Sequence, residues 1–299
     1  MGGRRIILLA AAIALAVLAV FNWLTAPSRP ELSGLTVKVL AIGQGDAILI
    51  QSGRDAVLVD SGDVGARKEL LRLLGQEGVK EFALVVATHP HADHIGGMEA
   101  VLDKYPVKKI LDSGQIHTSK LFADYLKKVA AKKVEFVRAK PGERYQLDGG
   151  AQIEALWPEE EFLRGTDSDL NNNSVVLRLT KGAFSMLLTG DIQKEAEMGL
   201  LKKSGDKLKS DVLKAPHHGS NTSSTTAFLR AVNAEAVIIS CGKNNDYGFP
   251  KPAVLRRYKE NDMEIYITAK DGTVTVSADG KNYEISGELF QDKTKRKNK

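Results

Sequence analysis

The stretch Thr88-His89-Pro90-His91-Ala92-Asp93-His94-Ile95-Gly96-Gly97 decides how the rest of this sequence is interpreted. Residues 82–87, which precede it, are apolar and rich in valine, and this pattern predicts a fully buried strand. Residues 98–103, which follow it, continue at helical spacing after a glycine pair at the turn. The histidines and the aspartate therefore fall at the carboxyl end of a buried strand, where α/β sheets place their ligand crevices.

The six histidines of the chain are unevenly distributed, because three of them fall within six positions. Imidazole and carboxylate groups are the usual ligands of zinc, manganese or iron in open catalytic sites. In this loop His89 and His91 can be aimed at one metal ion, which leaves Asp93 and His94 to face a second one. The alternative, a polar loop with a chance run of histidines, does not account for the clustering. We interpret the stretch as a metal site.

Residues 6–24 are almost entirely apolar and long enough to cross a bilayer as a helix. Arg4 and Arg5 precede them without a nearby acidic residue, so the positive-inside rule keeps the N-terminus in the cytoplasm. A cleaved signal peptide is the alternative, and the protein would then be secreted. Pro27 directly after Ala26 disfavours cleavage there. We expect a single-pass anchor in the cell membrane and an extracytoplasmic catalytic domain.

The net charge of +5 and the pI near 9.0 resemble the values of nucleic-acid-binding proteins. The first 29 residues hold three Lys or Arg, and the last nine hold five against one Asp, which leaves 34 basic and 36 acidic residues between 30 and 290. The net charge of the body therefore favours no class of partner. We expect residues 1–30 to form the anchor and linker, residues 31–290 one large domain, and residues 291–299 a basic disordered tail. Cys241 is the single cysteine, so an internal disulfide is excluded.

The body of the chain shows strand pairs followed by strand–helix alternation, twice in succession. This order predicts mixed sheets with helices outside, and two such halves predict a two-sheet sandwich with a site along one edge. Asp60 and Asp191 each end a predicted strand, and His217 and His218 directly follow another. Polar residues of this kind at several strand ends are expected to meet at that edge.

Each of these polar residues has a candidate role. Two metal ions need a bridging carboxylate, and Asp191 is placed for it, although a helix N-cap would also use an aspartate there. Asp60 could orient a ligand histidine or cap the following turn. Of the paired histidines we assign His217 as the ligand, and His218 would then hydrogen-bond a substrate oxygen or simply pack.

The motifs His89-Pro90-His91-Ala92-Asp93-His94, Thr189-Gly190-Asp191 and His217 resemble the metal motifs of the metallo-β-lactamase fold. The resemblance implies an α/β (α+β) protein with a four-layer αβ/βα sandwich and a hydrolase that binds one or two metals. We expect two divalent ions, Zn²⁺ or Mn²⁺. The expected ligands are His89, His91, Asp93, His94, Asp191 and His217, and the expected catalytic residues are Asp93, Asp191 and His218.

Further stretches between residues 35 and 280 resemble the soluble domain of the ComEC-type DNA-uptake proteins. They are Ile42-Gly43-Gln44-Gly45-Asp46-Ala47, Asp60-Ser61-Gly62, Asn172-Asn173-Ser174-Val175-Val176-Leu177, His217-His218-Gly219-Ser220 and Tyr247-Gly248-Phe249-Pro250. In that family the domain is thought to degrade the DNA strand that is not imported, as a metal-dependent nuclease. Behind the ligands or at the substrate we expect Asp46, Asp60, Asn173, Ser220 and Tyr247.

Several features depart from the pattern of that family. Ala41 stands where the family usually has Asp, and Phe249 stands where it usually has His. The histidine that many relatives place between the two metal motifs is absent, so an oxygen ligand from residues 169–173 is the expected substitute. ComEC proteins also carry a long polytopic channel, whereas this sequence has one hydrophobic segment. We therefore expect a membrane-tethered relative that works beside a separate channel protein.

These features predict an extracytoplasmic metal-dependent phosphodiesterase, specifically a nuclease for single- or double-stranded DNA in a ComEC-like competence role. One fold supports many hydrolyses, so another ester such as a phosphorylcholine, lipid or lactone is an alternative substrate. A non-catalytic competence accessory or binding protein is the other alternative. A nuclease also needs a basic groove, unless the late basic residues are merely solvated. The candidates for that groove are Lys214, Lys243, Lys251, Arg256 and Arg257.

Overall fold

The structure is a computed structural model that describes the backbone of residues 34–297 and the side chains of residues 34–289. The membrane span predicted at residues 6–24 lies outside the described residues. Within residues 34–297, no helix combines the length and the apolar composition that crossing a membrane requires.

The described residues form sixteen strands and nine α-helices. The strands are β1 (Leu35–Val39), β2 (Ile48–Ser52), β3 (Asp55–Val59), β4 (Leu84–Ala87), β5 (Lys109–Asp112), β6 (Glu135–Arg138), β7 (Arg144–Gln146), β8 (Gln152–Trp157), β9 (Val176–Lys181), β10 (Phe184–Leu188), β11 (Val212–Lys214), β12 (Ala236–Ile239), β13 (Glu264–Ile267), β14 (Val274–Ala278), β15 (Asn282–Gly287) and β16 (Phe290–Lys297). The helices are α1 (Arg67–Gln76), α2 (Ala92–Ile95), α3 (Met98–Lys104), α4 (Lys120–Lys132), α5 (Asp169–Asn172), α6 (Lys194–Lys203), α7 (Thr226–Val232), α8 (Pro252–Glu260) and α9 (Thr268–Asp271).

Two sheets pack face to face. The first has the strand order β16-β15-β14-β1-β2-β3-β4-β5-β6, and the second has the order β13-β12-β11-β10-β9-β8-β7. Fully buried side chains such as Val37 and Val86 from the first sheet and Leu177 and Met186 from the second share one apolar core between them. Strands β4 and β12 are buried along their whole length, which explains their uninterrupted apolar sequences.

Helices cover the outer face of each sheet. Leu70 of α1 and Tyr125 of α4 pack onto the first sheet, and Phe228 of α7 and Tyr258 of α8 pack onto the second. Each sheet therefore lies between an outer helical layer and the shared core. The predicted two-sheet sandwich with helices on both outer faces is confirmed.

The parallel parts of the two sheets place several loops at one edge. Strands β3, β4 and β5 are parallel neighbours in the first sheet, and β10 to β13 are parallel neighbours in the second. Asp60 follows β3, His89 follows β4, Asp191 follows β10 and His218 follows β11. The carboxyl ends of these strands therefore deliver the candidate ligands.

The C-terminal segment differs from its prediction. Most of residues 291–299, predicted as a disordered tail, belong to β16, which pairs antiparallel with β15 at the edge of the first sheet. Neither strand was predicted from the sequence, although β15 alternates polar and apolar side chains. An edge strand is held by backbone hydrogen bonds and commonly carries charged residues, especially Lys, so its sequence need not show apolar alternation. The domain consequently extends past residue 290.

Candidate metal centre

The loop after β4 folds back tightly, so that its histidines face one another. His89 Nε2 lies 3.0 Å from His91 Nδ1, and the ring centres of His89 and His94 are 4.1 Å apart. The glycine pair is required for this packing: a Cβ at Gly96 would lie 2.3 Å from the backbone N of residue 64, and one at Gly97 would lie 2.4 Å from the carbonyl oxygen of residue 61. The loop therefore rests directly on the segment after β3.

Asp191 Oδ2 is the atom on which the histidines converge. The Nε2 atoms of His94 and His218 lie 3.3 and 3.4 Å from it, and those of His89 and His217 both lie 3.9 Å from it. Asp191 is buried at the carboxyl end of β10, where its backbone N–H donates to the Ser174 hydroxyl. One carboxylate therefore lies beside four imidazoles.

The paired histidines lie in a strained turn directly after β11. His217 and His218 have φ values of 48° and 53°, and Gly219 continues with a φ of 81°. Left-handed backbone costs about 1–3 kcal/mol per non-glycine residue, and it is retained where the surrounding structure enforces it, often at functional sites. This turn brings both neighbouring imidazoles to Asp191 although they are adjacent in sequence.

Four of the predicted residues form a compact ligand group. Asp93, His94, Asp191 and His218 each place one ligand atom within 4.8 Å of the others. Among the described side chains, the buried atoms His94 Nε2, His218 Nε2 and Asp191 Oδ1 have no hydrogen-bond partner. Leaving such atoms unsatisfied is costly, and a cation held between them removes the cost.

Of the remaining predicted ligands, His89 and His217 lie 3.9 Å from the same aspartate, and His91 lies beside His89. His89 and His91 approach each other through ring nitrogens, as ligands of a shared cation would. His217 Nδ1 lies 3.0 Å from the Thr222 hydroxyl, which leaves Nε2 facing Asp191. The complete cluster is compatible with two divalent ions that share Asp191.

Asp60 supports the histidines from behind. Its Oδ2 lies 2.8 Å from His94 Nδ1 and accepts a hydrogen bond of 2.7 Å from the Thr88 hydroxyl. Thr88 Oγ1 in turn lies 3.2 Å from His89 Nδ1. The buried carboxylate thereby fixes His94 directly and His89 through Thr88, so that the Nε2 atom of each ring faces the site.

His218 has a separate support, which includes Asp46 and the main chain at Ser240. Its Nδ1 donates to the carbonyl oxygen of Ser240 at 3.0 Å and lies 3.5 Å from Asp46 Oδ1. Lys214 Nζ lies 2.7 Å from Asp46 Oδ2, and both side chains are buried. The proposal of Lys214 as part of a basic groove is therefore wrong, because β11 lies inside the second sheet and directs this side chain to Asp46.

The electrostatics of the cluster favour a cation. Burial alone would raise the pKa of Asp191, but the neighbouring His218 and His94 outweigh it and hold the pKa well below its ordinary value. Burial lowers the pKa of His89 and His217. Lys214 overcomes the burial of Asp46 and lowers the pKa of that carboxyl to about 2. Burial alone would lower the pKa of His94 and His218, but Asp191 outweighs it and raises both well above the ordinary value. The Asp191 carboxylate thus stabilises positive charge beside it.

The other predicted residues are Asn173, Ser220 and Tyr247, and their side chains make contacts outside the compact ligand group. Asn173 uses its amide to hold residues 163 and 169 and does not face the cluster. The Ser220 hydroxyl contacts the Thr222 hydroxyl, which in turn contacts His217 Nδ1, and the Ser220 N–H donates to the His217 carbonyl oxygen at 2.8 Å. Tyr247 is exposed and stacks on Phe249.

Two further residues lie next to the cluster: Asn171 falls in the range 169–173 that was expected to supply an oxygen ligand, and His117 was not singled out from the sequence. Asn171 Nδ2 lies 3.5 Å from His217 Nε2, and Asn171 Oδ1 is buried without a hydrogen-bond partner in the described structure. His117 packs edge-on against His91 with ring centres 6.4 Å apart. His117 follows the carboxyl end of β5, so the rule that selected Asp60 and Asp191 could also have found it.

Comparison with known protein families agrees with this geometry. Residues 40–243, more than half of the chain, match the model of the metallo-beta-lactamase superfamily. The chain belongs to the metallo-β-lactamase superfamily. Its sandwich fold and its buried His and Asp side chains are those of a metal-dependent hydrolase of this superfamily.

Within the metallo-β-lactamase superfamily, the chain is similar to ComEC-type competence proteins, as the motifs predict. It is 30% identical to ComE operon protein 3 of Bacillus subtilis over 258 residues, which cover 80% of this chain and 32% of that protein. It is 32% identical to competence protein ComA of Neisseria gonorrhoeae over 250 residues, which cover 82% and 33%. The chain thus spans about a third of the length of these relatives.

Solved structures of the metallo-β-lactamase superfamily share the fold. The metallo-β-lactamase fold protein YhfI from Bacillus subtilis superposes with a TM-score of 0.53 at 15% identity, over 78% of this chain and 96% of that protein. At this identity the likeness shows the common architecture alone.

Proposed function

We propose that this chain is a metal-dependent phosphodiesterase that cleaves DNA in a competence-related role. The observation that carries the proposal is the convergence of four histidine Nε2 atoms within 3.9 Å of the buried Asp191 Oδ2. A carboxylate shared in this way suits two divalent ions, and two-metal sites are typical of phosphoester and nucleic-acid hydrolysis. The similarity to competence proteins favours DNA as the phosphodiester.

Two sets of residues would hold the ions, and Asp191 would belong to both. Asp93, His94 and His218 would hold one of them, and His89, His91 and His217 would hold the other. When bound, Zn²⁺ or Mn²⁺ activates a water molecule as the nucleophile and neutralises charge on the phosphoryl oxygens.

The protein itself positions the ligands and leaves one side of the cluster open. Asp60 and Asp46 hold the rings of His94 and His218 from the buried side. Asp93 is the most exposed member of the compact group, with 27% of its side chain accessible, whereas His94 and His218 are buried. Asp93 therefore borders the side from which a phosphodiester approaches.

The catalytic domain would lie outside the cytoplasm. Residues 6–24 would tether the chain to the cell membrane, and the imported strand would pass through a separate channel protein. The support for this part is the apolar run with Arg4 and Arg5 before it.

The proposal is tested by incubating the full-length protein with labelled single- and double-stranded DNA in the presence of Zn²⁺, Mn²⁺ or a chelator. We expect metal-dependent cleavage that is lost in His91→Ala and kept in Asp112→Asn, which alters a buried carboxylate outside the cluster. If the protein binds metal and leaves DNA intact but cleaves a phosphorylcholine, lipid or lactone ester, the nuclease assignment is wrong. If the protein neither binds metal nor cleaves any of these substrates, a non-catalytic binding protein is the remaining interpretation.

A further inference from the structure

An aromatic pair lies beside the metal centre in the loop between β12 and α8. The rings of Tyr247 and Phe249 are nearly parallel, with an interplanar angle of 13° and ring centres 5.4 Å apart. Phe249 also contacts the histidine turn, since its ring centre lies 5.6 Å from that of His217 and 6.4 Å from that of His218. Phe249 thus forms the inner ring of the pair.

Tyr247 forms the outer ring and is largely open to solvent. Its exposed fraction is 59%, which is high for a residue with so large an apolar surface. Large exposed apolar groups that occur singly are common, but two stacked rings beside a metal centre form an organised surface. Stacking on Phe249 uses one part of Tyr247 and leaves most of its surface accessible.

The loop holds this pair in a fixed geometry. Asn245 Nδ2 donates to the carbonyl oxygens of Gly242 and Phe249 at 2.9 and 2.8 Å, and its Oδ1 accepts from the Phe249 N–H at 2.8 Å. Lys251 Nζ donates to the Tyr247 carbonyl oxygen at 2.6 Å. The backbone is therefore held at the N–H and carbonyl of Phe249 and at the carbonyl of Tyr247, and a planar ligand would meet a preorganised surface.

A positive charge accompanies the rings. Lys251 Nζ lies 5.5 Å from the Phe249 ring centre. Among the described side chains, no carboxylate forms an ion pair with this ammonium group, which donates to a backbone carbonyl. Its charge is therefore available to a phosphate that passes the aromatic pair. Aromatic rings next to unpaired basic groups are the common elements of surfaces that bind single-stranded nucleic acid.

We propose that Tyr247, supported by Phe249, stacks an unpaired base of a nucleic-acid strand whose phosphodiester enters the metal centre. This inference rests on the proposed function and deepens it, because it selects single-stranded DNA over a duplex whose bases are already stacked. Tyr247 then determines specificity through binding, and its removal raises KM with little change in kcat. Stacking of one base is worth about 5- to 150-fold in affinity.

The first measurement is binding, which does not depend on cleavage. A short oligo-dT strand with one 2-aminopurine is titrated with the full-length protein in a chelator, so that turnover cannot occur, and quenching of the base fluorescence reports stacking. We expect quenching by the wild type and by Tyr247→Phe, and about 5- to 150-fold weaker binding by Tyr247→Ala. Phe136→Ala removes an aromatic residue of β6 that is 41% exposed and should bind like the wild type.

The second measurement compares cleavage of oligo-dT with that of an abasic strand of equal length in Mn²⁺. Tyr247→Ala should raise KM for oligo-dT alone, because the abasic strand has no base to stack. Equal effects on both strands, or unchanged quenching in Tyr247→Ala, would overturn the stacking role. Quenching without cleavage of either strand would retain the stacking role and reject the nuclease function, so the two failures are distinguishable.

Discussion

Lys214 Nζ lies 2.7 Å from Asp46 Oδ2, and neither side chain reaches solvent. Loss of one partner from a buried ion pair leaves an uncompensated charge, which typically costs about 3–5 kcal/mol. We therefore expect Lys214→Met to lower the free energy of unfolding by about that amount, as measured by urea denaturation. The double variant Lys214→Met with Asp46→Asn should recover part of the loss.

A matched control for this variant is Lys207→Met. Lys207 also pairs with a carboxylate, at 2.6 Å from Glu154, but half of its side chain is exposed. Exposed pairs contribute about 0–1 kcal/mol, so this control should remain close to the wild type. Equal destabilisation by the two lysine variants would show that burial of the Lys214 pair is unimportant.

Asp60 should control metal affinity without touching the metal. Its carboxylate accepts from His94 Nδ1 and, through Thr88, restrains His89. Loss of such support typically lowers metal affinity about 10- to 100-fold. We expect Asp60→Asn to fall in this range in a competition titration against a chromophoric chelator. The control Asp112→Asn changes another buried carboxylate, at the end of β5, and should bind metal like the wild type. Equal affinities for all three proteins would contradict the role of Asp60.

The metal centre could be anticipated from the sequence because its residues share one context. The loop that follows β4 has a high density of histidines, and Asp191 and the paired histidines also follow buried strands. The structure brings all of them to one edge. The order of His217 and His218 could not be inferred, because it depends on a left-handed turn that only the folded chain imposes.

The Lys214–Asp46 pair could not be predicted for a different reason. Lysine is rarely fully buried, so its position in a short apolar strand indicates a surface residue. Its partner lies 168 positions earlier in the chain, which places the pair beyond any local pattern. Strand β16 was missed because edge pairing depends on the backbone, and its side chains show little apolar alternation. Strand β15 does alternate, with Tyr283 and Ile285 buried in the core, so its pattern could have predicted it.

Metal stoichiometry distinguishes the roles of the two neighbouring histidines. His218 lies 3.4 Å from both Asp93 and Asp191, whereas His217 approaches only Asp191 and at 3.9 Å. Under the proposed division, Asp191→Asn should lose both ions, and His217→Ala and His218→Ala should each lose one.

Elemental analysis by mass spectrometry after dialysis measures the ions retained per protein. The double variant of His91→Ala and His218→Ala should lose both ions. The double variant of His91→Ala and His217→Ala should keep one ion, because His91 and His217 would hold the same one. Retention of two ions by His217→Ala would remove this histidine from the ligand set.

Asp112 gives the fold a pH dependence that is independent of the metal centre. Burial raises the pKa of its carboxyl to about 7, although hydrogen bonds from the Gly114 N–H and the Tyr125 hydroxyl oppose the shift. Between its ordinary pKa of 3.8 and about 7, the folded state binds this proton more strongly than the unfolded state does. The free energy of unfolding therefore falls as the pH rises through this window. Above it, Asp112 is ionised in both states and causes no further change.

Asp112→Asn removes the ionisation and keeps the capacity to accept from Gly114. At pH 8 we expect this variant to be about 3–4 kcal/mol more stable than the wild type. The difference should fall to about 1–2 kcal/mol at pH 5, because it disappears only below the ordinary pKa of 3.8. Urea denaturation at both pH values, carried out in a chelator so that metal affinity does not contribute, measures the change. A constant difference between pH 5 and pH 8, or an Asn variant that is less stable at pH 8, would mean that Asp112 is already ionised in the folded protein at pH 5.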